Sequence, residues 1–269
     1  IESGLADLVI AGGFESSSTQ PVRMWNSNHP DYQEGKSYTV AKFIPDIQGE
    51  QVMLEGAEKT ALTENVTKAE MDPWVLLSHK RAAQAAKEGI LSDIQFSIAD
   101  SKKDEGIRPS MSQRLLDRLP CLLPGGSIIT AANACLMHDG AAFVVLCSEA
   151  YRKKHGLTPQ AAFRFGTAIG SDPFMSPKTA VLAIRKLLKQ TALSIDEIYS
   201  LEVNEAFAVI DVLLEREFPG IRERLNPLGG ALAYGHPYGA SGAIILLHLL
   251  KDLELNQGRF GICGVAAAG

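Results

Sequence analysis

Three short segments of the sequence hold side chains suited to moving protons and acyl groups. The first, Asn204-Glu205-Ala206-Phe207-Ala208, follows the apolar run from Ile198 to Val203. Polar side chains at the carboxyl end of a buried parallel strand face the crevice where α/β folds place ligands. An Asn at this place also suits the cap of the next helix, and the residues alone leave both roles open. The second segment, Asn226 to Gly242, sets Gly229, Gly230, Gly235, Gly239 and Gly242 around His236, with Pro237 directly after it. Glycine admits positive φ and close approach of another group, proline restricts the residue before it, and a histidine transfers protons near neutrality. The third, Gly261-Ile262-Cys263-Gly264-Val265, places a thiol inside a strand, where a buried cysteine usually serves only packing. A fourth, weaker cluster is His138-Asp139-Gly140 beside Cys135. His29, His79 and His155 stand in polar or helical contexts and take no role, and His248 lies on an apolar helix as a core residue.

Other chemistries find no support. No GxGxxG follows the first strand, and there is no Walker A pattern, GxSxG elbow or metal-ligand spacing. What remains is a His, a Cys and an Asn in glycine-rich turns, the parts of an acyl-transfer site without a clear nucleophile. Four cysteines (Cys121, Cys135, Cys147, Cys263) with no CxxC pair make neither a disulfide framework nor a zinc site, so a reducing cytoplasm is the simplest setting. A net charge of -5 gives no basic field for nucleic acid or anionic membrane. No apolar run approaches the ~18 residues needed to span a bilayer. With 46% hydrophobic and 21% charged residues, the 269-residue chain can bury a sizeable core.

These segments need elements to hold them. Ala6 to Ala11, stopped by Gly12-Gly13, reads as a buried strand. Residues 15–127 read as an excursion from the main sheet. They contain a helix from Gln51 to Lys68, and a second with Asp72 as N-cap, Pro73 at the first helical position and Gly89 at its end. An α/β rhythm returns at Ser127. Strands are expected at Ile128-Ile129, Ala141 to Cys147, Ala161 to Ala168, Ile198 to Val203 and Arg259 to Ala266. Helices are expected at Glu149 to His155, from Ser176-Pro177, at Ala206 to Glu217 and at Gly239 to Leu253. Alternation of this kind means an α/β domain with a mostly parallel sheet.

Taken together, the segments resemble the thiolases, the acetyl-CoA C-acyltransferase family. Ala11-Gly12-Gly13-Phe14-Glu15-Ser16, with Pro21, resembles the family's AGGxES. Asp104-Glu105 with Arg108-Pro109 resembles its DExxRP, and Ala132-Asn133-Ala134 with Asp139-Gly140-Ala141 its GNASxxNDGA. Asn204 to Ala208 is NEAFA unchanged, Gly229 to Gly242 fits GGAxAxGHPxGxSG, and 32 positions separate Asn204 from His236. The resemblance implies an α/β, thiolase-like fold of two βαβαβαββ halves with a loop domain inserted in the first. Residues 1–14 and 128–147 would be a remnant of the first half, incomplete in this chain, 15–127 the loop domain, and 148–269 the second half.

The resemblance also implies a ping-pong Claisen reaction on acetoacetyl-CoA or another 3-ketoacyl-CoA, with a cysteine acylated in between. His236 would be the base for that thiol, Cys263 an acid or base toward the substrate, and Asn204, through a water, part of an oxyanion site. Cys135, where the family often has a Ser against the pantetheine, would contact substrate with Ala206 and Phe207. No separate cofactor is implied: CoA and acyl-CoA are the substrates, and a homodimer or homotetramer the expected assembly. The family's nucleophile sits in a CxSG motif before a helix ending I-x-x-G, here Ile1 to Gly4, so the acylated Cys is expected upstream of Ile1. Further departures are His138 for an Asn, Gly264-Val265-Ala266 for the glycines after the last Cys, and Glu58-Lys59-Thr60 for the HMG of short-chain biosynthetic members. These departures leave an alternative of a different class, a thiolase-like protein that binds CoA thioesters without turning them over.

Overall fold

The computed structural model describes residues 1–38, 52–98 and 103–267. Its elements in chain order are β1 (Leu8–Glu15), α1 (Val52–Thr63), α2 (Lys68–Glu88), α3 (Gln113–Leu116), β2 (Gly140–Cys147) and α4 (Glu149–Lys154). They continue with α5 (Ser176–Thr191), β3 (Ser200–Val203), α6 (Val209–Glu217), α7 (Ala231–Tyr234), α8 (Ser241–Asn256) and β4 (Gly261–Gly264). The architecture is mixed α/β, as expected. Among the described residues, however, the strands pair two by two: β1 with β2 antiparallel, and β3 with β4 parallel.

The β3–β4 pair is the centre of the molecule. All four residues of β3 are buried, as a parallel strand covered on both faces requires. Around it α5, α6 and α8 contribute Ile184, Ile210, Leu214 and Leu249 to the buried set. β3 is paired on its other side as well. Leu201 N–H donates to Arg224 O at 2.8 Å, and Asn226 N–H donates to Leu201 O at 2.8 Å. One residue further on, the Asn226 side chain takes over from the backbone. Its Oδ1 accepts from Val203 N–H at 2.8 Å and its Nδ2 donates to Val203 O at 3.0 Å. A primary amide imitates a peptide group and so extends the ladder to the end of the strand, while the Asn226 backbone, at φ +47°, turns away into the glycine loop.

Four expectations need correction. Gly12-Gly13 does not stop the first strand, which runs through both and alternates exposed with half-buried residues instead of being buried. A side chain at Gly13 would overlap the Gly239 carbonyl, so Gly13 admits the loop that follows His236, whereas one at Gly12 would overlap Ala142 and Phe143 of β2. The second helix starts a turn early because Thr67 and Glu70 form a capping box, with Glu70 N–H to Thr67 Oγ1 at 3.3 Å and Thr67 N–H to Glu70 Oε2 at 2.9 Å. Asp72 is buried and paired with Lys68 at 2.8 Å, and Pro73 lies inside the helix, forgoing one ladder bond. Residues 161–168 and 128–129 are not strands: among the described residues, apart from a single bridge of Thr130 to Cys121 nearby, no neighbouring strand offers them a ladder. Among the described residues, no helix is long and apolar enough to cross a membrane.

The ladder carried by Asn226 is testable. Asn226→Ala removes two buried hydrogen bonds and puts a Cβ residue without a local partner at positive φ. The expected loss of unfolding free energy is about 2–4 kcal/mol. Denaturant titration checks it; a change under about 1 kcal/mol would mean that β3 does not depend on this side chain.

Candidate active site

Asn204 emerges from β3 with its N–H donated to Gly264 O at 2.9 Å, which ties it to the end of β4. It does not cap α6. That helix begins at Val209 with Ala208 before it and no side-chain cap bond. The amide is therefore free for other work, and it faces His236: Asn204 Nδ2 lies 3.3 Å from His236 Nε2. Asn204 Oδ1 is buried and has no hydrogen-bond partner.

His236 is held from both ends. Gly235 has φ +88°, and any Cβ there would overlap the His138 ring, so position 235 must be glycine on two counts. His236 N–H donates to Leu136 O at 2.8 Å. On the ring, Nδ1 lies 2.6 Å from Ser241 Oγ, which in turn donates to Pro237 O at 2.9 Å. One placement of protons satisfies this chain. Ser241 gives its hydrogen to Pro237, Nδ1–H donates to Ser241, and Nε2 keeps its lone pair, accepting from Asn204. Burial holds the ring well below the ordinary histidine range, at about 4, outweighing the nearby Glu15 carboxylate. His236 is thus a neutral imidazole with its basic nitrogen on the Asn204 side. Tyr238 stands edge-on to the ring, centroids 4.6 Å apart.

The strand-like segment 133–137 binds the two loops together. Cys135 N–H donates to Ala206 O, and Ala208 N–H to Asn133 O, each at 2.9 Å. Ala134 bridges Phe207, and Met137 bridges His236. Cys135, Ala206 and Phe207 therefore form one wall beside the His–Asn pair. Burial pushes the Cys135 thiol up to about 12, with Glu205 adding to it, so it is not a thiolate near neutrality. Cys263 sits one residue before Gly264, and its thiol is also pushed up, first by burial and then by Glu202. Glu58 serves the fold: its carboxylate accepts from the N–H groups of Ser127 at 2.6 Å and Ile129 at 2.9 Å. Despite burial, these bonds hold it below the usual carboxylate range. His79 accepts from Arg108 N–H at 3.2 Å, and His248 packs edge-on to Tyr234; burial pushes both to about 4. Among the described residues, no three His, Cys, Asp or Glu side chains gather as a metal set.

The structure brings Asn204 and His236 into direct contact and Cys263 to the adjoining strand. Sequence reasoning did not single out two residues that matter here. Ser241 orients the His236 ring, and its signal was a hydroxyl five residues past the histidine. Glu202 lies beside Cys263, and its signal was an acidic residue inside an apolar strand.

The chain is similar to known proteins along nearly its whole length. Residues 1–150 match the thiolase N-terminal domain and residues 157–269 the thiolase C-terminal domain. The chain is 32% identical to the β-ketoadipyl-CoA thiolase of Escherichia coli over 281 residues, covering 98% of this chain and 70% of that protein. It is 33% identical to the steroid 3-ketoacyl-CoA thiolase FadA6 of Mycobacterium tuberculosis, covering 97% of this chain and 65% of the relative. Among solved structures, human mitochondrial 3-ketoacyl-CoA thiolase in complex with CoA superposes with a TM-score of 0.89 at 30% identity, over 99% of this chain and 69% of that one. The acetyl-CoA acetyltransferase of Bacillus anthracis does so with a TM-score of 0.88 at 30% identity, over 99% and 70%. The chain, with its Asn–His–Ser relay at the end of a buried parallel pair, belongs to the thiolase family of acyltransferases.

Proposed function

We propose that this protein carries out thiolysis of a 3-ketoacyl-CoA by CoA, and its reverse Claisen condensation, in two half-reactions joined by an acyl-enzyme. The observation that carries the reading is the relay Asn204–His236–Ser241, which holds a neutral imidazole with its basic nitrogen, Nε2, against the Asn204 amide. Such a nitrogen removes the proton of an attacking thiol as the acyl-enzyme forms. Asn204 Oδ1, buried and unpartnered, suits a water that donates one O–H to it and the other to the thioester oxygen as negative charge develops there. Cys263, a protonated thiol, supplies the proton to the α-carbon as the carbon–carbon bond breaks. CoA and acyl-CoA enter as substrates, with Cys135, Ala206 and Phe207 as the wall against which the pantetheine lies. No separate cofactor has a part.

The acylated thiol is assigned to none of the four cysteines in the sequence. Among the described residues, none hydrogen-bonds the His236 ring, Cys135 is held protonated, and Cys263 has the acid–base task.

Steady-state thiolysis assays across short to long acyl chains test the reading. A protein that binds CoA thioesters but turns none of them over would contradict it. In the native enzyme, His236→Ala should lower turnover by roughly 10²–10⁴-fold. Near-normal thiolysis in that variant would remove His236 as the base. Ser241→Ala, which frees the ring to rotate, should cost about ten-fold in kcat with little change in KM. A loss confined to KM would mean that Ser241 contacts substrate instead of orienting the base.

A further inference from the structure

Glu202 is an acidic residue in the middle of β3, 1% exposed, in a strand whose four residues are all buried. Its register partner in the parallel pair is Cys263. Partners in adjacent strands lie about 4.8 Å apart with their side chains on one face of the sheet. The charged and titratable groups facing Glu202 are Glu205 after β3, Asp252 on α8, Arg81 on α2, Tyr234 on α7 and Cys263 on β4. Arg81, the single cation of this set, is engaged elsewhere, with Leu225 O at 2.7 Å, Arg222 O at 2.9 Å and Glu223 Oε2 at 3.0 Å. Glu202 Oε1 is buried with no hydrogen-bond partner.

A carboxylate in these surroundings would be a desolvated charge beside two other acidic side chains with no ion pair of its own. Neutralising it by protonation is far cheaper than burying it charged. Burial, then Glu205 and Asp252, push its carboxyl well above the usual range, whereas Arg81 opposes this only weakly. We propose that Glu202 is a buried neutral carboxylic acid whose O–H, without a partner at rest, turns to donate to Cys263 Sγ when that thiol gives up its proton, stabilising the thiolate. This rests on the reading of Cys263 as the acid–base thiol.

In cleavage, the Cys263 S–H bond breaks and its proton forms a C–H bond at the α-carbon of the departing thioester enolate. The electron pair left on Sγ accepts the Glu202 O–H. When the CoA thiol attacks the acyl-enzyme, Sγ takes the CoA proton and the S–H bond is restored. Glu202 keeps its own proton throughout and acts only through Cys263. An ionised Glu202 would instead repel the thiolate and suppress its formation.

The test reads Cys263 itself. Alkylation by iodoacetamide is followed against pH in the native enzyme, with the modified peptide quantified by mass spectrometry. Glu202→Gln keeps a neutral donor and should hold the midpoint within about half a pH unit of the parent. Glu202→Leu loses the donor and should move the midpoint up by about one unit or more, slowing alkylation about ten-fold at a fixed pH below it. Coincident profiles for Glu202→Leu and parent, or equal shifts in both variants, would overturn the proposal. Should Glu202→Leu fail to fold, the infrared difference between parent and Glu202→Gln decides: loss of a protonated-carboxyl C=O stretch is expected, and its absence refutes a neutral Glu202. A parent without thiolysis whose Cys263 still responds to Glu202 would refute the proposed function alone. A parent that turns over with coincident profiles would refute this inference alone.

Discussion

The site depends on the pairing of β3 on both of its edges. A four-residue strand is too short to hold position through its own hydrogen bonds, so it is fixed by burial and by ladders to β4 and to residues 224–226. That arrangement delivers the reactive groups together. The carboxyl end of β3 presents Asn204, the register with β4 sets Cys263 against Glu202, and Asn226 begins the glycine loop that returns as His236. The primary amide of Asn226 joins the two. It completes the ladder on β3 while its own backbone, in the left-handed region, turns the chain toward the histidine.

The second constraint is closeness of backbone to backbone. His236 can reach Asn204 only because Gly235 gives way to His138, and because Gly13 and Gly239 let β1 and the loop touch without side chains between them. Segment 133–137 then bonds to both the Ala206 strand end and the His236 backbone, which leaves the His–Asn contact few ways to loosen. Preorganisation of this kind matters for a proton-transfer site, because a misplaced base loses rate steeply with distance. Burial adds a chemical effect: it keeps His236 uncharged and the Cys135 and Cys263 thiols protonated.

Much of this was legible in the sequence because its chemistry is local. A polar NEAFA after an apolar strand and a histidine fenced by glycines and proline each announce a backbone demand that few other contexts produce. α5 was readable from Ser176-Pro177 and its apolar stripe. What escaped had non-local causes. Gly12-Gly13 resembles a strand end, but Gly12 lies against Ala142 and Phe143 of β2 and Gly13 against a loop more than 200 residues away. Asp72-Pro73 resembles a helix start, yet the reciprocal bonds of Thr67 and Glu70 are available one turn earlier and prevail. Residues 161–168 have strand-forming side chains but, among the described residues, no neighbour with which they form a ladder. Ser241 and Glu202 escaped because a serine in a glycine-rich turn and an acid in a strand carry no meaning until the ring and the thiol beside them are placed.

The central claim is that His236 and Cys263 divide the work, one removing the proton of the attacking thiol and the other exchanging a proton with substrate carbon and CoA. Rapid-mix kinetics of Cys263→Ser address it directly, because the two half-reactions appear as separate phases. A serine hydroxyl is too weak an acid to replace the thiol. With acetyl-CoA as acyl donor, the variant is expected to lose less in the acyl-enzyme burst, where Cys263 protonates only a departing thiolate, than in carbon–carbon bond formation with the second acetyl-CoA, which falls by roughly 10²-fold or more. Equal loss of both phases would merge the two roles, and retention of both would return Cys263 to the packing of β4.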